Sequence, residues 1–268
     1  MQKNGKFILF TTDEFDNWLA ETKFSRAVTL IQNHHTYSPA YGEFNGSNHF
    51  ALLNSMERYH VTQRGFSEIA QNITTFPDGS LAVCRSLDRI PAGIKGANQA
   101  GVCIENLGNF DTGSDVMLPD HRETIIRTNA LLCREFNLTP STECIVYHHW
   151  YDLDSGTRTN GAGKTKSCPG TDFFGGNSVQ SAKANFVPLV SAAFQTLTVA
   201  APVQPIKTVE IVTANSLNVR AGAGTSFPVV KQLLRGVLVQ IYEEAAGWCR
   251  IHPNEQQWVS GKYLQVVS

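Results

Sequence analysis

Ala27-Val28-Thr29-Leu30-Ile31-Gln32-Asn33-His34-His35-Thr36 runs from an apolar, β-branched stretch directly into two histidines. Residues 27–31 have the composition of a buried strand. Polar groups just past a strand end stand on the rim of a sheet, where side chains from distant parts of a chain converge. The arrangement recurs downstream: Ile145-Val146-Tyr147 leads into His148-His149, and Gly101-Val102-Cys103-Ile104-Glu105-Asn106-Leu107 sets a carboxylate in an otherwise apolar run. Further strands are expected over 69–75, 80–84 and 144–147. Helices interleave with them. Thr12-Asp13-Glu14 caps a helix carrying Phe15, Trp18 and Leu19; Ser47 caps another with the stripe Phe50, Leu53, Met56; Pro119 opens a third that buries Ile125, Leu132 and Phe136. This mixture predicts an α/β domain with a central mixed β-sheet flanked by helices.

Composition narrows the function classes. The chain has 268 residues, 42% hydrophobic and 17% charged, with 22 Lys+Arg against 23 Asp+Glu for a formal charge of −1. So low a charged fraction excludes a charge-rich disordered chain and a coiled coil. Near-neutrality removes the basic excess that would draw duplex nucleic acid or an anionic membrane, so neither is expected as a partner. No run approaches the roughly 20 apolar residues of a membrane span, so no membrane insertion is expected. The apolar patch Phe7–Phe10 meets Asp13 and Glu14 before it reaches signal length, and no signal peptide is read there. The six cysteines, Cys84, Cys103, Cys133, Cys144, Cys168 and Cys249, form no CxxC pair, which argues against a disulfide scaffold or a four-cysteine zinc site. Five are expected to be reduced and structural. Cys168 differs, because it lies in the polar run from Lys164 to Gly170.

The chain divides at Val199-Ala-Ala-Pro-Val-Gln-Pro-Ile206, where two prolines and small residues disfavour both helix and central strand. A domain over 1–198, a linker over 199–207 and a module over 208–268 are expected. In the module, short β-branched or aromatic runs at 209–213, 216–220, 229–233, 237–242 and 248–251 are separated by Gly-rich turns, which predicts a small all-β barrel. Trp248, Trp258 and Tyr263 read either as recognition aromatics or as core residues, and the core is favoured for the tryptophans, since so small a domain needs large apolar side chains to bury enough area.

The pairs His34-His35 and His148-His149, together with Cys168, can supply two imidazoles and one thiolate, a three-ligand set for Zn2+ that leaves a fourth position open. A histidine pair after a strand reads equally as a hydrogen-bonding turn feature, and spacing alone leaves both readings open. Glu105 must lose hydration in its apolar strand unless it has a partner, and a general base beside a metal would have one. Strand alternation alone would instead place it on a solvated face. Lys166 could turn an ammonium toward the same site and stabilise an oxyanion, or serve as an ordinary loop lysine. His35, His149 and His60 read as structural partners, and His121 and His252 as residues without a specific role.

Five motifs occur in a recognisable order: His34-His35-Thr36; Tyr59-His60 followed by Arg64-Gly65-Phe66-Ser67-Glu68-Ile69; Gly101 to Glu105; Ile145 to His148; and Thr165-Lys166-Ser167-Cys168-Pro169-Gly170. On these, residues 26–175 resemble the zinc-dependent N-acetylmuramoyl-L-alanine amidases of the type 2 class, which share a fold with peptidoglycan recognition proteins. The resemblance implies zinc held by His34, His148 and Cys168, Glu105 as general base and Lys166 as stabiliser of the tetrahedral intermediate. The implied reaction is hydrolysis of the amide between the lactyl group of N-acetylmuramic acid and L-alanine in bacterial peptidoglycan. Three departures stand out. Ala70-Gln71-Asn72 replaces a Tyr-His pair found in many members, the segment 90–98 has no histidine, and the loop from His149 to Cys168 is longer than usual, with Asp152, Asp154, Arg158 and Lys164.

From Leu217-Asn218-Val219-Arg220 through Gly247-Trp248 to Trp258-Val259-Ser260-Gly261, the C-terminal module resembles bacterial SH3-like domains, which implies tethering to the cell wall. The whole is expected to be a phage or prophage endolysin, held in the host cytoplasm until another protein releases it to the wall. A bacterial autolysin whose export signal lies outside this sequence is the alternative setting. A non-catalytic peptidoglycan-recognition protein is a further alternative, but one that leaves Glu105 and Lys166 without a role. A structural adaptor would leave the whole ligand set unused.

Overall fold

The chain opens with two antiparallel strands, β1 (Gln2–Asn4) and β2 (Phe7–Phe10), in the computed structural model, which describes residues 1–198, 207–252 and 255–266. The patch Phe7–Phe10 is therefore a sheet strand, with Phe7 and Leu9 in one core and Phe10 in another. Helix α1 (Thr12–Glu21) is capped by Thr11, one residue earlier than expected. Thr11 and Glu14 close a capping box: Glu14 N–H donates to Thr11 Oγ1 at 3.3 Å and Thr11 N–H to Glu14 Oε2 at 2.9 Å. There follow β3 (Leu30–His35), α2 (His49–Thr62), β4 (Ile73–Thr75), β5 (Leu81–Val83), β6 (Gly101–Asn106), α3 (Pro119–Glu135) and β7 (Ile145–Tyr147). A short α4 (Val179–Ser181) passes through a π turn at Ala182–Phe186 into α5 (Val187–Thr198).

The expected elements are present with shifted ends. Strand β3 runs through both histidines because its parallel pairing with β6 extends to His35 opposite Asn106. Ser47 does not cap α2. Asn48 precedes the helix and uses its side chain on the turn before it, accepting from Asn45 N–H and donating to Glu43 O. The hairpin β1–β2 and the helical segment from Val179 to Thr198 were not expected.

Seven strands form one sheet in the order β1-β2-β5-β4-β6-β3-β7; β4, β6, β3 and β7 are parallel, and the other pairings are antiparallel. Strand alternation sorts the two faces. Ile31, Ile73, Val102 and Ile104 pack with Phe15 and Leu19 of α1, Ile125 and Leu132 of α3 and Val190 of α5. On the opposite face Phe7, Leu9, Ala82 and Cys84 pack with Leu53 and Met56 of α2. The sheet thus carries helices on both sides, and the parallel strands aim their carboxyl ends at one rim.

A buried amide pair holds the central strand to its helix. Asn33 Nδ2 donates to Asn129 Oδ1 at 2.8 Å, and Asn129 Nδ2 returns a bond to Asn33 Oδ1 at 3.1 Å, both side chains being fully buried. Each satisfies the other where neither reaches water.

By contacts the chain divides into two units, Met1–Thr198 and Val199–Ser268. The expected linker lies outside the described residues apart from Lys207, which begins β8 (Lys207–Val212). The second unit continues with β9 (Ser216–Arg220), β10 (Val229–Leu234), β11 (Leu238–Ile241), β12 (Glu243–Ala245), β13 (Trp248–Arg250), β14 (Trp258–Ser260) and β15 (Leu264–Val266). They pair as a sheet β10-β9-β14-β13-β12 and a sheet β11-β8-β15. The core is aliphatic: Val212, Leu217, Val219, Val239, Ile241, Cys249 and Val259. The core expectation holds for Trp258, which is buried, and is corrected for Trp248, which is half-buried, the buried cluster being filled mainly by aliphatic side chains; Tyr263 is exposed.

Replacing Asn129 with Leu should leave Asn33 buried without a partner and destabilise the N-terminal unit by about 1–3 kcal/mol. The Asn33→Leu/Asn129→Leu double variant should recover part of that loss, since it orphans no polar group. Calorimetric unfolding of the three variants checks both expectations.

Candidate metal centre and active site

Strand β3 lies between β6 and β7, and its parallel register decides which side chains meet. His34 stands opposite Glu105 on one side. On the other, Asn33 stands opposite Tyr147, so His148, the next residue, comes alongside His34. Cys168 arrives from the long loop after β7, which is tied back to the strand end by a bond from His149 N–H to Cys168 O at 2.8 Å. His34 Nδ1 lies 3.2 Å from His148 Nδ1 and 3.5 Å from Cys168 Sγ. Glu105 Oε1 is 3.9 Å from His34 Nδ1.

These separations are those of a small tetrahedral metal site. Tetrahedral zinc bonds nitrogen at about 2.0–2.1 Å and thiolate sulfur at about 2.3 Å, so the edges of its tetrahedron are about 3.3 Å between two nitrogens and about 3.6 Å from nitrogen to sulfur. The protonation states agree with that donor set. Burial, reinforced by the neighbouring His148 and Lys166, pushes His34 well below the ordinary histidine range, and burial pushes His148 down to about 3, so both rings are neutral near pH 7 with lone pairs available. Burial pushes the Cys168 thiol up, with the Glu105 carboxyl adding to it, and a cation among these donors would offset both effects. Cys103, which nothing in the sequence singled out, forms a second close group with His34 and Glu105 from within β6.

Glu105 is half-buried, and its Oε2 has no hydrogen-bond partner among the described residues. Burial pushes its carboxyl up to about 8, against the pull of the Lys166 ammonium. A carboxyl that titrates near neutrality can both take and give a proton there. Lys166 acts on Glu105, His34 and His148 through its charge. Its backbone is held by His149, whose Nδ1–H donates to Lys166 O at 2.7 Å. The site residues named from sequence, His34, Glu105, His148, Lys166 and Cys168, all line a single cavity of about 690 Å³.

A buried chain of hydrogen bonds fixes the backbone under His34. Asn106 Nδ2 donates to His34 O at 2.7 Å, and Thr75 Oγ1 donates to Asn106 Oδ1 at 2.8 Å. With its proton so committed, Thr75 accepts from His121 Nε2 at 2.8 Å, which leaves His121 Nδ1 to accept from Tyr41 OH at 2.8 Å. Leu118 N–H then donates to Tyr41 OH at 3.3 Å. The chain requires a neutral His121, and burial does push its pKa down to about 3. His121 therefore has a specific role, contrary to the sequence expectation; its fully buried place on the inner face of α3 comes from the packing. His60 is satisfied as expected, its Nδ1 accepting from Ala70 N–H at 3.1 Å. His35 Nδ1 accepts from Phe110 N–H at 3.2 Å.

Gly93 also bears on the metal ligands. A Cβ there would fall 2.4 Å from Gln32 Oε1, 2.8 Å from Cys103 Sγ and 3.1 Å from His34 Nε2. The segment 90–98, which has no histidine, thus packs bare backbone against a ligand ring. It is joined to the long loop by Lys95 Nζ donating to Asp154 O at 2.6 Å and by Gly96 packing on Gly156. Asp152 organises that loop, accepting from the backbone N–H groups of Asp154, Ser155 and Lys164.

A rim of imidazole, thiol, carboxyl and ammonium groups on an α/β sheet could hold a metal ion and move protons beside it. Residues 24–171, more than half the chain, match the N-acetylmuramoyl-L-alanine amidase family model, and residues 215–265 match the bacterial SH3 domain model. The chain belongs to the N-acetylmuramoyl-L-alanine amidase family and carries a bacterial SH3 domain. Among solved structures it is similar to the N-acetylmuramoyl-L-alanine amidase LysC from Clostridium intestinale URNW, at 21% identity over 57% of this chain and 84% of that one, with a TM-score of 0.42. It is similar also to Drosophila PGRP-LB, at 18% identity over 56% and 78% of the two chains and a TM-score of 0.44. The Ph2119 endolysin from the Thermus scotoductus MAT2119 bacteriophage is 17% identical over 58% and 88%, with a TM-score of 0.41. No curated protein sequence matches the chain.

Gly93→Ala should displace the His34 ring and weaken binding of added divalent metal severalfold, measured by isothermal titration calorimetry, with the fold retained by circular dichroism. His121→Phe, which breaks the chain of bonds at its centre, should lower thermal stability and weaken metal binding together.

Proposed function

We propose that the N-terminal unit is a zinc-dependent amidase that hydrolyses the amide joining the lactyl group of N-acetylmuramic acid to L-alanine in bacterial peptidoglycan. The observation that carries this reading is the meeting of two neutral imidazole nitrogens and a thiol at zinc-like separations beside a buried carboxyl with an unpartnered oxygen. His34, His148 and Cys168 would hold the ion, which supplies a Lewis acid that polarises the amide carbonyl and acidifies water. Glu105 takes a proton from the attacking water on its Oε2 and returns it to the nitrogen of the leaving L-alanine. Lys166 faces the carbonyl oxygen as negative charge develops on it. His149 positions Lys166 by holding its backbone carbonyl, and Asn106 positions His34 through the carbonyl of that residue.

The bacterial SH3 unit is read as the part that keeps the enzyme on the cell wall. We read the whole chain as a phage or prophage endolysin, resident in the host cytoplasm until it is released to the wall. The joining of an amidase-family unit to a bacterial SH3 unit supports that setting. Recovery of active enzyme from host cytosol before lysis is expected, whereas a signal-bearing precursor would point to an exported autolysin.

Digestion of purified peptidoglycan should release new L-alanine amino termini and no new reducing sugar ends; reducing ends alone would mean a glycosidase. Glu105→Gln should lower turnover by about 10²–10⁴-fold while zinc content stays at the wild-type level, and a fully active variant would remove Glu105 from the mechanism. Cys168→Ser should lose zinc and activity together.

A further inference from the structure

Away from the groove, two thiols meet. Cys133 lies near the C-terminal end of α3 and Cys144 directly before β7; both belong to the same buried cluster, and both are free. Their side chains are in hydrogen-bonding contact, the Cys133 S–H donating to the Cys144 sulfur. Cys144 Sγ in turn donates to Thr139 O at 3.1 Å and lies 3.7 Å from Ser141 Oγ. Main-chain bonds fix both residues. Leu138 N–H donates to Cys133 O at 2.8 Å, with Asn137 in the left-handed conformation that closes a helix, and Ile31 N–H donates to Cys144 O at 2.7 Å.

The two thiols differ in their surroundings. Cys133 is fully buried, and with its proton committed to Cys144 its thiol is pushed up, burial adding to the effect. Cys144 is 7% exposed, and its loop carries the exposed residues Thr139 and Glu143 on either side of it. The bond from Cys133 pulls the Cys144 thiol down to about 6 against its burial, with the Ser141 hydroxyl helping. Of the five cysteines in the N-terminal unit, Cys144 alone is pushed down; burial pushes Cys84 up to about 12, and Cys103 and Cys168 up as well. A near-surface sulfur favoured as thiolate, touching a second thiol buried behind it, is the arrangement of an attacking and a resolving cysteine. Both residues read from the sequence as inert packing groups, since their contact joins a helix end to a strand start.

We infer that Cys133 and Cys144 form an oxidative modification site, at which a low-molecular-weight aliphatic disulfide converts the two thiols into an intramolecular disulfide that staples the end of α3 to the start of β7. Cys144, as thiolate, attacks one sulfur of RS–SR, forming a mixed disulfide and expelling RS⁻. Cys133 then gives up its proton and attacks the Cys144 sulfur, forming the internal S–S bond and expelling the second RS⁻. The two expelled thiolates take up the two protons that the cysteines lose, so two protein thiols are oxidised and one external disulfide is reduced to two RSH. Closing the loop over 133–144 restricts the unfolded chain and so stabilises the folded unit. In a reducing compartment the pair stays as thiols, and in an oxidising one it closes. The staple sits at the end of β7 away from His148 and is independent of the reaction assigned to the groove.

The test exposes the native full-length protein to bis(2-hydroxyethyl) disulfide and maps its cysteines by mass spectrometry of peptides kept under non-reducing conditions. The wild type should yield a linked pair of peptides that contain Cys133 and Cys144. Its thermal midpoint should rise by about 5–10 °C on oxidation and return to the starting value with dithiothreitol. Cys133→Ala, which lacks the resolving thiol, should keep a hydroxyethylthio group on Cys144. Cys144→Ala should form no link at Cys133, and its midpoint should not respond to the oxidant. A native wild type that forms no bond between the two residues, or one whose midpoint fails to rise once the bond has formed, would overturn the site. Both of those readings are made on the wild type, so neither depends on a variant that folds.

Discussion

The parallel register of β6, β3 and β7 is the constraint on which the rest of the site depends. Side chains alternate along a strand, so a one-residue slip of β3 would turn His34 into the core beneath α3 and bring Asn33 to the groove. In the observed register Glu105, His34 and His148 stand in a row across three strand ends. Two polar devices lock it from the face that carries α3. The Asn33–Asn129 pair ties β3 to α3, and the chain from Tyr41 through His121, Thr75 and Asn106 ends on the carbonyl of His34. A shifted register would leave several of these buried groups unpaired, and each would cost about 1–3 kcal/mol.

The same burial that secures the register sets the chemistry of the rim. Removed from water, the imidazoles of His34 and His148 stay neutral, the Cys168 thiol resists ionisation and the Glu105 carboxyl is pushed up to about 8. A site of such groups is poor at holding its own negative charge and well suited to a divalent cation. Lys166 is the charged counterweight, and it enters on a loop whose geometry is imposed by His149 and Asp152 rather than by the sheet. A second cavity, lined among others by Glu43, Leu52 and Met56, shares Glu105 with this one.

Much of this was legible from residue order. Strand-like runs ending in histidine pairs, a carboxylate inside an apolar strand and Cys168 with Lys166 in a polar loop pointed to the site, the family resemblance implied its five residues, and the same text implied the central mixed sheet. Other parts could not be read. His121 sits on a helix among many buried positions, and nothing local distinguishes it from a packing residue; only Thr75 and Tyr41, 46 and 80 positions away, make it a link in a chain. Gly93 reads as one more loop glycine until Gln32, Cys103 and His34 close around it. In the SH3 unit, large aromatics suggested a core that smaller aliphatic residues in fact fill.

The sequence by itself determined the elements and the chemical identity of the rim, because apolar periodicity, strand-end polarity and motif order are local properties. Tertiary structure alone decided which atoms face one another, which groups are stripped of water, and which side chains line the groove. Those outcomes depend on strand register and loop packing between residues far apart in the chain, where a shift of a few ångströms separates a metal site from a row of ordinary polar side chains. The left-handed backbone of Tyr37 belongs with them, its N–H bonded to Gly108 O just past the end of another strand.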